Sequence, residues 1–266
     1  MKRVIITGSP RANGRSAHIA ERLFEANIDE RPEDELFLVP ISEIEVGPCI
    51  GCNACRKPTE VTFQTDDGAE RTELRPRCVF DDDMQTLYDL LDDADELTIV
   101  SPIYFSGAPA TLKCLLDRMQ PYFWDNLVPV DKGEGKKGKA GEPDPRAETE
   151  LTWVPRPKRP LTLHVLGEGG DPHGYEPLIS EVKSSLACAG FRLLTIYDWV
   201  GKVTPEGEIA AEAEIREIAK LDDSAKGTPS HEHDSKPPAG KGNAPAKKKR
   251  PKLDLSAGQS KGKRRG

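Results

Sequence analysis

The feature that most constrains the fold is Val4-Ile5-Ile6-Thr7-Gly8-Ser9-Pro10-Arg11-Ala12-Asn13-Gly14-Arg15-Ser16, an apolar run that passes through a short polar loop into a helical pattern. A strand that enters such a loop and opens a helix aims unpaired backbone N–H groups and a positive helix end at one point, which makes an anion site. Gly8 and Gly14 let the backbone bend close to a bound group, and Ser9 and Ser16 offer hydroxyl donors. Arg11 adds a planar charged fork suited to phosphate. The spelling excludes commoner phosphate loops: no Gly-Lys-Ser/Thr follows, and the loop carries no G-x-G-x-x-G. Without a ligand, the same stretch reads as a strand–turn–helix with Ser16 at the cap.

Strand and helix signals then alternate along the 266 residues. Strands are predicted at Val4–Thr7, Leu36–Val39, Leu97–Val100, Leu161–Leu166 and Leu193–Tyr197. Helices are predicted from Ser16, over Asp81–Leu91 with Asp81, Asp82 and Asp83 in the first turn, and over Ala108–Met119, Tyr175–Ala189 and Glu208–Leu221. Five strands separated by helices imply an α/β fold with a parallel sheet covered on both faces. Residues 56–77 and 125–160 are polar and read as insertions, the second as a mobile surface loop or a lid.

The net charge of −7 conceals a division: residues 222–266 hold twelve Lys or Arg against five Asp or Glu, a net of +7, and residues 1–221 carry −14. The expected organisation is an acidic domain over 1–221 and a disordered basic tail over 222–266, which has no aromatic residue. Such a tail contacts nucleic acid nonspecifically and lacks the rings needed for base stacking. No apolar run is long enough for a signal peptide or a membrane span, so the expectation is a soluble, cytoplasmic protein without a membrane partner.

Three loops that follow strands carry unusual chemistry: Ser9–Ser16, Ser101–Pro109 with its adjacent Tyr104 and Phe105, and Gly167-Glu168-Gly169-Gly170. In open parallel sheets, ligands bind beyond the carboxyl ends of the strands. A phosphate loop, an aromatic loop and a glycine loop whose Gly169 and Gly170 admit a ring edge together describe a site for FMN. Three of the six cysteines stand as Cys49-x-x-Cys52-x-x-Cys55, dense enough to surround one cluster or metal. The spacing leaves three states open: an iron–sulfur cluster, zinc or another metal, and free thiols near the flavin. Cys114 and Cys188 read as small buried hydrophobes, and His18, His164 and His173 as structural or solvated.

Taken in order, Gly8-Ser9-Pro10-Arg11-x-x-Gly14-x-Ser16, Cys49-x-Gly51-Cys52-x-x-Cys55, Asp82-Asp83-Met84, Ser101-Pro102-Ile103-Tyr104-Phe105 and Leu112-Lys113-x-x-x-Asp117-Arg118 form a recognisable series. It resembles the flavodoxin-like NAD(P)H-dependent FMN reductases and their iron–sulfur flavoprotein relatives, strongly over residues 1–120 and weakly over 160–220. The resemblance implies a flavodoxin-like doubly wound five-stranded parallel sheet of order 2-1-3-4-5. It implies FMN with its phosphate at Ser9, Arg11, Asn13, Gly14 and Ser16, and its isoalloxazine along Pro102, Ile103, Tyr104, Phe105 and Gly107. Lys113, Asp117 and Arg118 are assigned to helix support and a subunit contact. By the same resemblance Cys78 is the fourth ligand that completes a 4Fe–4S site with Cys49, Cys52 and Cys55, despite the intervening polar insertion.

The implied activity is that of an FMN-dependent NAD(P)H oxidoreductase. It passes hydride through the flavin to a small quinone-like acceptor by a ping-pong mechanism, with no obligatory side-chain acid or base, in a homodimer or homotetramer. Two alternatives stand beside it. One is an electron carrier that uses FMN and a 4Fe–4S cluster between protein partners, and the other a redox or polyanion-binding module acting through its basic tail.

Overall fold

Apolar runs such as Val4-Ile5-Ile6 and Leu97–Val100 are hydrophobic at successive positions, so both faces of each strand must be covered. The computed structural model describes residues 1–64, 68–129 and 151–220; the basic tail and the segment 130–150 lie outside the described residues. Strands β1 (Lys2–Thr7), β2 (Glu35–Pro40), β5 (Glu96–Pro102), β8 (Arg159–Leu166) and β9 (Phe191–Asp198) are mutually parallel, in the spatial order β2-β1-β5-β8-β9. Helices α1 (Arg15–Glu30), α2 (Met84–Asp93), α3 (Ala110–Asp117), α4 (Gln120–Asp125) and α5 (Glu176–Cys188) form the connections.

Alternate residues of one strand enter different cores, as a period of two requires. Val4, Ile6, Leu97, Ile99, Leu161 and Leu163 pack with the buried faces of α2, α3, α4 and α5. Ile5, Val100 and Leu166 pack on the other side with Ile19 and Ala20 of α1 and with Val203. The result is a flavodoxin-like doubly wound sheet.

Two expectations need correction. The sheet has six strands instead of five, because β10 (Glu214–Glu217) pairs antiparallel with β9 along the outer edge. The helix expected over Glu208–Leu221 is absent; turns lead into β10 instead. All four β10 residues are exposed, so no apolar face favoured a helix, whereas β9 offered an unpaired backbone edge. The polar insertion at 56–77 is an antiparallel hairpin of β3 (Pro58–Gln64) and β4 (Glu70–Pro76), closed at its base by the Pro58–Pro76 pair. Within the second insertion, β6 (Leu127–Pro129) pairs antiparallel with β7 (Leu151–Trp153).

The acidic run at 92–96 contains a buried anchor. The Asp92 side chain is 11% exposed and takes ion pairs from Arg77 at 2.6 Å, Arg156 at 2.9 Å and Arg75 at 3.4 Å. These arginines lie at the end of β4 and beyond β7, so Asp92 ties both insertions to the end of α2. Burial pushes its pKa up, but the charges of Arg77 and Arg156 and their hydrogen bonds outweigh this, and the carboxyl is held below its ordinary value. Asp92 therefore contributes fully above the ordinary carboxylate range, and its contribution fades as pH falls through the lowered folded value. Asp92→Asn is expected to cost about 3 kcal/mol at pH 7 by stranding buried cations. Urea unfolding at pH 7 and pH 3 checks both points, with the gap between the two proteins narrowing at pH 3.

Candidate functional site

Because the five strands run in parallel, their carboxyl ends share one rim, and the loops after β1, β5 and β8 meet there. Gly8 is required by close approach: a Cβ on it would lie 2.7 Å from Leu112 Cδ2 and 3.2 Å from Ser101 Oγ. Its N–H donates to Val100 O at 2.8 Å, fixing the loop's departure from the sheet. Ser9 is buried and its Oγ accepts from the Arg11 N–H at 3.1 Å. The cap of α1 is Gly14 and not Ser16, in an extended conformation that any residue adopts. No side chain caps this helix and its first turn holds no acidic residue. The 16-residue α1 thus presents its positive end without an internal anion.

A cavity of about 550 Å³ opens above this end. All five phosphate-loop candidates, Ser9, Arg11, Asn13, Gly14 and Ser16, line it, together with Pro102, Ile103 and Tyr104 of the aromatic loop. Arg15, Leu166 and Pro205 also line it, and sequence reasoning had not singled them out. Arg15 donates to Glu168 Oε1 at 3.0 Å and to Thr204 O at 3.1 Å, which joins the first loop to those after β8 and β9. Its place one residue before Ser16 was the available signal.

Four expected residues lie elsewhere. Phe105 is fully exposed at the tip of a tight turn in which Tyr104 and Gly107 exchange backbone hydrogen bonds at 3.0 Å. Phe105 and Ser106 have φ of 49° and 66°, and buried Ser106 anchors the turn by donating to Asp171 at 2.7 Å. Gly107 faces Glu181. Gly169 and Gly170 line an adjoining cavity of about 490 Å³, which shares Ile103, Gly167 and Glu168 with the first. His164 is structural, as expected: its ring stacks on Tyr197 at 4.5 Å and its Nδ1 accepts from Trp199 at 3.0 Å. Burial pushes its pKa down to about 4, which keeps it neutral.

Four of the cysteines come together around a second cavity. Gly51 and Asn53 have φ of 65° and 58°, the left-handed turns that curl the Cys49–Cys55 segment. Arg56 stacks on Trp124 of α4 at 4.5 Å and fastens its end. The β3–β4 hairpin returns the chain to its starting point, which solves the long gap before Cys78. Gln85 holds the returning strand by donating to Cys78 O at 2.8 Å and Phe80 O at 2.6 Å. Cys49, Cys52, Cys55 and Cys78 thus line one cavity of about 300 Å³. Burial raises the Cys55 pKa, and the charges of Cys78, Cys49 and Cys52 raise it further. Among the described residues, no group of three or more His, Cys, Asp or Glu side chains is arranged to hold a metal ion. Cys114 and Cys188 are half-buried free thiols.

Asp82 and Asp83, expected as helix-end charge, are a latch. Arg118 is fully buried and donates to both oxygens of Asp82, at 2.8 and 2.9 Å, and to Gly47 O at 3.0 Å. Asp82 in turn accepts from the Gly47 N–H at 3.1 Å, and Asp83 from the Glu45 N–H at 2.7 Å. The latch holds the segment that leads into Cys49. No helix among the described residues is long and apolar enough to cross a membrane.

Residues 1–132 match the family model described as NADPH-dependent FMN reductase. An iron–sulfur flavoprotein of Methanocaldococcus jannaschii is 31% identical over 121 residues, covering 46% of this chain and 53% of that protein. One from Methanosarcina thermophila is 33% identical over 120 residues, covering 44% and 52%. The chain spans about half the length of the curated relatives it matches. Among solved structures, an NADH:FMN oxidoreductase in its apo form aligns with a TM-score of 0.41 and 16% identity, over 74% of each chain. A flavone reductase aligns with a TM-score of 0.44 and 14% identity, over 77% of this chain and 54% of that one. Residues 1–132, just under half of the chain, are similar to the NADPH-dependent FMN reductase family.

Proposed function

We propose that the protein is an FMN-dependent oxidoreductase that takes hydride from NAD(P)H and passes it to a small, quinone-like acceptor in ping-pong order. The observation that carries this reading is the cavity of about 550 Å³, in which the uncapped end of α1, Ser9, Ser16 and Arg11 face the same space as Pro102, Ile103 and Tyr104. The residues fit the cofactor chemically. An uncapped helix end with hydroxyl and guanidinium donors suits a phosphate dianion, and a half-exposed tyrosine ring in the same cavity suits a flat heterocycle. FMN, once bound, supplies the two-electron chemistry, and the protein supplies position. Ser9 and Ser16 hold the phosphate end, the aromatic loop orients the ring, and Ile103, which lines both cavities, separates the flavin from the adjoining space of about 490 Å³. A nicotinamide and then the acceptor would enter through that space.

A second reading has its own support. The four cysteines come from two separate segments, yet line one cavity. In a 4Fe–4S centre each thiolate binds a different iron, so the sulfurs surround a space and need not converge on one atom. That arrangement suits a cluster better than a single zinc ion. In this reading Cys49, Cys52, Cys55 and Cys78 hold the cluster, and the protein relays electrons between partners.

Purified protein is expected to bind FMN at micromolar concentration or below, measured by quenching of flavin fluorescence; a protein that refuses FMN overturns the first reading. Arg11→Ala is expected to weaken FMN about tenfold while leaving riboflavin, which lacks the phosphate, unchanged. Gly8→Ala presses a methyl group into Leu112 and is expected to cost about 1–3 kcal/mol of stability, seen in urea unfolding, together with a loss of FMN affinity. For the second reading, anaerobic reconstitution with iron and sulfide should give broad visible absorbance and bound iron. Cys78→Ser should lose most of both, and equal iron in parent and variant would refute the assignment of Cys78.

A further inference from the structure

The wall of the cysteine cavity contains a buried cation with a donor to spare. Arg118 is 1% exposed and lines the cavity together with all four cysteines. Its two terminal nitrogens are engaged by Asp82 and Gly47 O. Its Nε is buried and has no hydrogen-bond partner among the described residues. A dry, unpaired N–H on a charged group is among the costlier defects a fold can carry, about 1–3 kcal/mol or more. Such a defect calls for an acceptor that arrives with a bound group.

The neighbours narrow the choice of acceptor. Phe80 presents its ring to the guanidinium at 5.0 Å. The Tyr88 hydroxyl donates to Arg118 O at 2.6 Å. Asp82 is occupied by the terminal nitrogens. Cys78 lines the same cavity as Arg118, as do Cys49, Cys52 and Cys55. The lining offers sulfur at Cys49, Cys52, Cys55 and Cys78 beside oxygen at Asn53, Asp117 and Gln120, and a group held by the four cysteines presents sulfur.

We propose that Arg118 is a positioning residue of the cysteine site, whose Nε–H is reserved for sulfur and whose charge, partly offset by Asp82, sets the reduction potential of an iron–sulfur centre held there. The inference rests on the second reading above. Adding an electron to such a centre adds negative charge, so a nearby cation and an N–H donor favour the reduced form and raise the potential. Asp82 is the counterweight, since its carboxylate cancels part of the same cation. The two residues therefore push the potential in opposite directions although they form one ion pair.

The test uses the full chain, reconstituted anaerobically with ferrous iron and sulfide, counted for iron, and titrated with dithionite against redox dyes. Arg118→Gln is expected to disfavour reduction at least tenfold, a fall of about 59 mV for a one-electron couple. Asp82→Asn, which keeps the shape and removes the counter-charge, is expected to raise the potential. A merely structural role does not give opposite signs, because both substitutions break the same bidentate pair. Arg118→Lys, which restores the charge without the Nε–H, should recover part of the loss. If Arg118→Gln does not fold or hold iron, Asp82→Asn decides alone: a rise supports the proposal and an unchanged potential overturns it. A parent that binds iron while both variants titrate at its potential overturns the inference and leaves the second reading standing. A parent that takes up no iron brings down both.

Discussion

Parallel pairing cannot be closed by a tight turn, so every strand of such a sheet is reached by a crossover, and all strands end on the same side. In this chain the rule applies to β1, β2, β5, β8 and β9 and brings Thr7, Pro40, Pro102, Leu166 and Asp198 to one rim. The chemically distinctive loops all leave from that rim. β1 lies between β2 and β5, so the chain departs from it in one direction and later returns on its other flank. The loops after β1 and β5 consequently part around a crevice, and the cavity of about 550 Å³ lies there. Site and topology are one constraint.

Apolar packing secures the sheet but does not direct its loops, because the hydrophobic effect has no preferred orientation. Buried ions supply the direction. Arg118 and Asp82 grip both polar groups of Gly47 and so aim the segment that carries Cys49. Asp92 gathers arginines from two insertions. Arg159 donates to the carbonyls of Leu91, Asp92 and Ala94 at the end of α2, and to Ala189 O at the end of α5, which binds two helix ends together. Each arrangement satisfies several donors at once, which offsets the desolvation of the charge.

The parallel strands and the helices between them were legible in the sequence because their apolar residues repeat with the right period and are bounded by loops rich in Gly, Pro and Ser. The phosphate loop was legible because Gly8, Ser9, Gly14 and Ser16 have few other uses together. Asp82 and Asp92 were not, since an acidic run carries no sign of the distant arginine that will bury it. The hairpin escaped notice because its apolar signal is short: Val61 and Phe63 alternate with polar residues in β3, but β4 has only Leu74 before its closing proline. The stretch Ala210–Lys220 is rich in good helix formers, yet the open edge of β9 decided its shape. Phe105 belongs to the ring-side motif by sequence, but two successive left-handed residues turn it out to solvent.

The last strand has a consequence for assembly. β10 covers the free backbone of β9 and shows the outside Glu214, Ile215, Arg216 and Glu217, all exposed. A short border strand with three charges in four positions is a poor template for cross-chain ladders, and it protects this flank from the stacking that begins fibrils. Copies of the protein that associate through this flank would have to meet by side chains, leaving the sheet a closed ribbon on that side.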